Sequence, residues 1–236
     1  MIGYGYLLAF MQKTFLDLGC GTGNQLEPLS GKHRVIGIDA DAENIAVCRK
    51  KMPNGTWIVG DITHFDLRTV PLPTDIMCQE VLEHVPNYEA VIDSLDAAAS
   101  GTRLHITVPY KISEEKLLKV KADYWKDIGH CHFFTGAELR SLLLSHGWTN
   151  IRIQRINAAL YFELRLLLKR RAPCIRHTYY QNILPFPVRL FWQLFRPDLF
   201  HTKLKYLFPL WMITLPVGMM LNKFWGAGIA VRAVKQ

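Results

Sequence analysis

The chain has 236 residues, half of them hydrophobic, which excludes wholesale disorder and allows one fully buried core. One α/β domain with an elaboration fits this length better than two domains. The formal charge is +8, and five widely spaced cysteines (20, 48, 78, 131, 174) with no CxxC pair disfavour a disulfide framework or zinc knuckle and point to a reducing, cytoplasmic compartment.

The opening "MIGYGYLLAFMQK" is apolar but has no basic leader region, so it reads as a short flap or helix and not as a secretion signal. Thereafter apolar β-like runs alternate with helical stretches. Thr14–Leu18 is the first strand and runs into Gly19, Gly21 and Gly23. Arg34–Asp39 is the second strand; Asp41 then caps "AENIAVCRKKM", which stops at Pro53. Thr56–Val59 and Asp75–Gln79 follow, with a helical stretch expected after each early strand. Asn87 opens "YEAVIDSLDAAAS", which stops at Gly101, and Arg103–Val108 is the next strand. Thr135 and Glu138 make a capping box for "AELRSLLLSHG" with Gly147 as the stop, before a strand at Asn150–Ile156. The closing "FWGAGIAVRAVKQ" returns to β-like alternation and reads as a last strand added antiparallel.

Strand–helix alternation with short connections predicts an α/β, doubly wound, Rossmann-like parallel sheet with right-handed crossovers. Its ligand site is expected at the carboxyl ends of the strands, at the topological switch point. That edge carries the glycine loop, Asp39, Asp61 and "QEVLEH". Residues 1–157 with 224–236 form the expected ligand-binding domain, and 158–223 is an insertion before the last strand.

The glycine loop reads G-x-G-x-G, with Asn24 following Gly23, so the dinucleotide pattern G-x-G-x-x-G fails. Asp17, just before the glycines, would face a pyrophosphate unfavourably. A ligand with a cationic end and no phosphates fits this loop better.

"LDLGCGTG" resembles the first motif of the class I S-adenosylmethionine-dependent methyltransferases, "VIGIDAD" their second-strand motif and "VGDIT" their third. "DIMCQEVLEHVPN" is similar to the fourth-strand segment of the branch that includes ubiquinone-type and other small-molecule O-methyltransferases. The resemblance covers roughly residues 13–157 plus the last strand, and implies S-adenosylmethionine as methyl donor. It also implies that Gly19, Cys20, Gly21 and Gly23 line the methionine and ribose, with Asp17 facing the amino group. Asp39, with Ala40 beside it, would take both ribose hydroxyls; Asp61 and the Ile62 backbone would bracket the adenine, and Gln79 would sit near the sulfonium.

Methyl transfer from a sulfonium is an in-line displacement that needs alignment and water exclusion, with a base only for a neutral acceptor. The amino-methyltransferase tetrapeptide (Asp or Asn, Pro, Pro, aromatic) is absent after the fourth strand, which weakens DNA adenine and protein glutamine as acceptors. His84, His130 and His132 lie in loops expected at strand ends and are the candidate proton acceptors. The family often has a histidine at the positions of His84 and His132. A structural hydrogen bond is the competing role for each. The H-x-H pair, Glu80 and Glu83 lack a clear third ligand, so no metal is assigned.

Ten Lys/Arg against Glu163 and Asp198 lie between Ala158 and Lys223, leaving 18 basic and 18 acidic residues elsewhere. The whole charge excess therefore sits in the insertion, which also holds 12 of the 27 Phe, Trp and Tyr residues. Nucleic acid is one candidate partner, but "LFPLWMITLPVGMML" is apolar throughout, which no phosphate-tracking groove requires. The uncharged run Tyr206–Leu221 has 16 residues with Pro209 and Pro216, too short and broken for a spanning helix, which needs about 20. Peripheral contact with a membrane surface fits best, with a substrate lid or a dimer contact as competitors. The favoured expectation is O-methylation of an apolar, lipidic or lipid-linked acceptor. The alternatives are a soluble small-metabolite methyltransferase, an RNA methyltransferase, and a non-catalytic donor-binding partner protein. The oligomeric state stays open.

Overall fold

The computed structural model describes residues 12–156, 223 and 226–236. The expected N-terminal flap and, apart from Lys223, the insertion 158–223 lie outside the described residues. The chain divides into two compact units. The first holds described residues 12–107, Ala137–Arg152 and Val231–Gln236; the second holds Val108–Gly136 with described residues 153–156, 223 and 226–230.

Seven strands form one sheet: β1 (Thr14–Leu18), β2 (Arg34–Asp39), β3 (Thr56–Val59), β4 (Asp75–Gln79), β5 (Arg103–Pro109), β6 (Trp148–Ile156) and β7 (Gly228–Lys235), in the order β3-β2-β1-β4-β5-β7-β6. The first five pair in parallel. Parallel strands are covered on both faces, so they run apolar: Leu16, Leu18, Ile36, Ile38 and Ile76 are all buried. The last strand runs antiparallel. Lys235 N–H donates to Thr102 O at 2.9 Å and Tyr110 N–H donates to Ala227 O at 2.7 Å, so the partner number falls as β5 advances.

The helices form where caps and stops dictate. In α2 (Ala42–Lys51), which follows the four-residue α1 (Glu27–Ser30), Asp41 accepts from Glu43 N–H at 2.7 Å. Arg49, Lys50 and Lys51 fill its last turn, where cations suit the helix dipole. Asn87 accepts from Ala90 N–H to cap α3 (Tyr88–Ser94), which tightens into a 3-10 turn at Leu95–Ala97. Lys111–Leu118 (α4), Tyr124–Ile128 (α5) and Gly136–Ser145 (α6) complete the set, and Gly147 ends the α6 segment in the left-handed region.

Three expectations are corrected. No α-helix follows β3; two 3-10 turns, Ile62–His64 and Leu67–Thr69, stand there instead, capped by Asp61 and Asp66. Aspartate caps in quick succession, followed by Pro71 and Pro73, leave no uninterrupted stretch for an α-helix. The sixth strand starts at Trp148 and not at Asn150, because the fully buried Trp148 packs into the core and Asn150 adopts a left-handed φ of 51° within the strand. Finally, α4 and α5 form where the sequence reading expected no element.

Candidate functional site

The strand order reverses at β1, whose neighbours are β2 and β4. In open α/β sheets this switch point opens the crevice in which ligands bind. Here its walls are the loop after β1 and the loop after β4.

The β1 loop folds back on β2: Gly19 and Cys20 N–H both donate to Ile38 O at 2.9 Å. Gly19, Gly21 and Gly23 all have positive φ (71°, 50° and 75°). Their surroundings differ. A Cβ on Gly19 would lie 2.6 Å from the Val81 side chain, so the β4 loop packs directly on that backbone. The corresponding space at Gly23 is filled by Met52 and Cys48, so this glycine serves packing. A Cβ on Gly21 would meet nothing within 4 Å, which makes Gly21 the open position of the loop.

Asp39 ends β2 and accepts from Gly21 N–H at 2.7 Å, from Asp41 N–H at 2.9 Å and from Asn44 Nδ2 at 3.3 Å. A carboxylate offers about four acceptor sites, so one remains. Gripping both ribose hydroxyls needs one of these bonds to yield, and the Asn44 contact is the longest. Ala40, next in sequence, is exposed.

Asp17, on β1 between Gly37 of β2 and Met77 of β4, is buried, 3 % exposed. Burial, reinforced by the negative charge of Asp39, pushes its carboxyl up to about 7. No hydrogen-bond partner of this carboxylate is found among the described residues. A buried acid beside a second carboxylate either keeps its proton or is ionised when a cation is brought against it.

Asp61 is placed differently. Its carboxylate accepts from Thr63 N–H and Thr63 Oγ1, both at 2.8 Å, and pairs with His64 at 3.4 Å. These bonds hold its pKa below the usual carboxylate range. Asp61 therefore caps its own turn, and that turn is joined to the end of β2 through its backbone, where Gly60 N–H donates to Asp39 O at 3.0 Å. Ile62 buries its side chain in that turn. Gln79 ends β4, half-buried, and is followed by Glu80 at a φ of 55°, a strained turn whose N–H donates to Thr107 O at 2.8 Å.

His84 closes the 3-10 turn Leu82–His84, with its exposed ring 4.0 Å from the buried Glu83 carboxylate. In the second unit, His130 Nδ1 lies 2.9 Å from Glu114 Oε2, which also accepts from Trp125 Nε1 at 2.9 Å. Glu114 is buried and orients the His130 ring. His132 packs near Phe134, with ring centroids 6.1 Å apart. Sequence reading gave no role to Glu114 or Asn44, which stand in no motif, and it quoted Val81 within "QEVLEH" without singling it out. Cys20, Cys48 and Cys78 are buried free thiols and Cys131 is an exposed one.

A family profile described as "Methyltransferase domain" matches residues 6–153. Among curated relatives, a trans-aconitate 2-methyltransferase of Rhodopseudomonas palustris (strain HaA2) is 28% identical over 173 residues, covering 71% of this chain and 61% of its own. A protein of the same name from Variovorax paradoxus is 30% identical over 141 residues, covering 56% of this chain and 52% of its own. The chain thus spans about three fifths of the length of the first of these relatives. Two solved structures share the fold. One is an S-adenosylmethionine-dependent methyltransferase of Archaeoglobus fulgidus (TM-score 0.56, 18% identity, 98% of this chain and 90% of that one). The other is the Haemonchus contortus phosphoethanolamine N-methyltransferase 2 in complex with S-adenosyl-L-methionine (TM-score 0.54, 15% identity, 99% and 53%). With the profile spanning more than half of its length and the donor edge built as described, the chain belongs to the class I S-adenosylmethionine-dependent methyltransferases, enzymes whose methyl donor is S-adenosylmethionine.

Proposed function

We propose that this enzyme transfers the methyl group to an acidic oxygen of a small, soluble metabolite, a carboxylate foremost. The observation that carries the acceptor class is the match to enzymes named for trans-aconitate. A carboxylate acceptor is already an anion near pH 7, so the displacement needs alignment and no base. The excess positive charge of 158–223 favours such an anion.

On the donor side, Gly21 lies against the ribose and methionine, Asp39 accepts from the ribose hydroxyls, and Asp17 faces the ammonium. The ammonium favours ionised Asp17, so donor affinity rises with pH through about 7.

A second reading keeps a lipidic acceptor at a membrane surface, supported by the basic and aromatic composition of 158–223. His84, His130 or His132 then supplies a base if the acceptor is a hydroxyl. Among the described residues no helix is long and apolar enough to cross a membrane.

The test is incubation of the purified chain with methyl-tritiated donor and either a panel of small carboxylates, trans-aconitate included, or total lipid extract. Label in a carboxylate ester is expected. Label confined to the lipid fraction overturns the first reading in favour of the second.

A further inference from the structure

The glycine loop is held from below as well as from Asp39. Cys48 Sγ lies 3.3 Å from Gly21 O, and Cys20 Sγ lies 3.6 Å from the same oxygen. One helical turn past Cys48, Lys51 Nζ donates to Thr22 O at 3.3 Å and Asn24 Oδ1 at 3.1 Å, and pairs with Glu27 at 2.8 Å. Residues three apart on a helix share one face, so α2 presents both side chains to consecutive carbonyls of the loop. Gly21 is thereby fixed on both sides, its N–H by Asp39 and its carbonyl by thiols.

We propose that Cys48 and Lys51 are positioning residues for the methyl donor, clamping the Gly21 and Thr22 carbonyls so that the glycine loop keeps its donor-binding shape. This rests on the reading that the loop and Asp39 hold the donor. The loop needs such a clamp because three residues with positive φ make a backbone with many alternative conformations once ligand contacts are absent. The thiols suit the task because burial pushes both up from their ordinary values, which keeps them protonated as S–H donors.

The experiment is calorimetric titration of the full chain with S-adenosylhomocysteine, alongside ligand-free melting. Lys51→Met and Cys48→Ala are each expected to weaken binding about fivefold, the effect of losing one hydrogen bond. Lys51→Arg and Cys48→Ser, which keep a donor, are expected to restore most of it. Lys51 is partly exposed, so its ligand-free melting temperature should stay within about 2 °C. Unchanged affinity in both Lys51→Met and Cys48→Ala overturns the proposal. So does normal binding by Lys51→Met together with equal losses in Cys48→Ala and Cys48→Ser that track their melting temperatures, because packing alone then accounts for Cys48. An Asp39→Ala control separates the two levels. If it too binds normally, the donor sits elsewhere and the site reading falls; if it alone loses binding, only the clamp falls.

Discussion

Asp39 and Asp61 stand at similar places in the chain, Asp39 as the last residue of β2 and Asp61 just beyond the end of β3, each shortly before a helical turn. Their carboxylates behave differently. That of Asp39 reaches back 18 residues to Gly21 N–H and helps shape the open loop. That of Asp61 turns forward two residues to Thr63 and caps its own 3-10 turn. One aspartate is bound by tertiary structure, the other by local chain chemistry. The lesson is that an acid at a strand end is held by tertiary structure only when a neighbouring loop offers it a partner. At β2 the glycine loop of the adjacent β1 does so; at β3, which has one strand neighbour and stands at the sheet edge, Thr63 is the partner at hand.

Gly19→Val probes the loop that Asp39 depends on. A side chain there meets Val81 at 2.6 Å in a left-handed backbone, so the variant should lose about 3 kcal/mol or more of stability, read by urea unfolding. Wild-type stability would mean that the crevice is looser than its glycine requires. Asp39→Ala should weaken S-adenosylhomocysteine binding on the order of 30- to 100-fold by calorimetry, the range for hydrogen bonds to a charged group. Asp17→Asn tests the second carboxylate of the pair. The folded pKa of Asp17, about 7, lies above its unfolded value, so the folded state holds the extra proton between roughly pH 4 and 7. Stability from this group therefore falls as pH rises through that window. The amide cannot ionise, so the variant should lose that slope and gain stability at pH 8, without ligand, on the order of a few kcal/mol, read by denaturation at pH 5 and pH 8. A steeper slope in the variant would break the assignment. Asp61→Ala should cost about 1 kcal/mol as a lost cap and leave donor affinity within about twofold, the smallest change of the series. If it costs as much affinity as Asp39→Ala, the contrast between the two aspartates collapses.

The second unit adds a case without any sequence signature. Glu114 gathers Trp125 Nε1 and His130 Nδ1 on one buried oxygen, across 11 and 16 residues of intervening chain. Nothing in "YKISEEK" marks this glutamate over Glu115, which is exposed. The histidine was visible as a candidate; the carboxylate that orients it was not, because burial selects it.

What the sequence determined by itself was whatever depends on local chemistry: the first four strands with the bounds they adopt, the caps at Asp41 and Asn87, the stop at Gly147, and a loop whose three glycines all take positive φ. Tertiary structure alone decided which groups those elements bring within reach. Val81 packs on Gly19, Cys48 and Lys51 hold the loop carbonyls, Asp17 loses its water beside Asp39, and Asp61 stays with its own turn. The physical reason is range: backbone dihedrals and caps act over a few residues and are written in the order of the chain, whereas burial and hydrogen-bond partnership act through space.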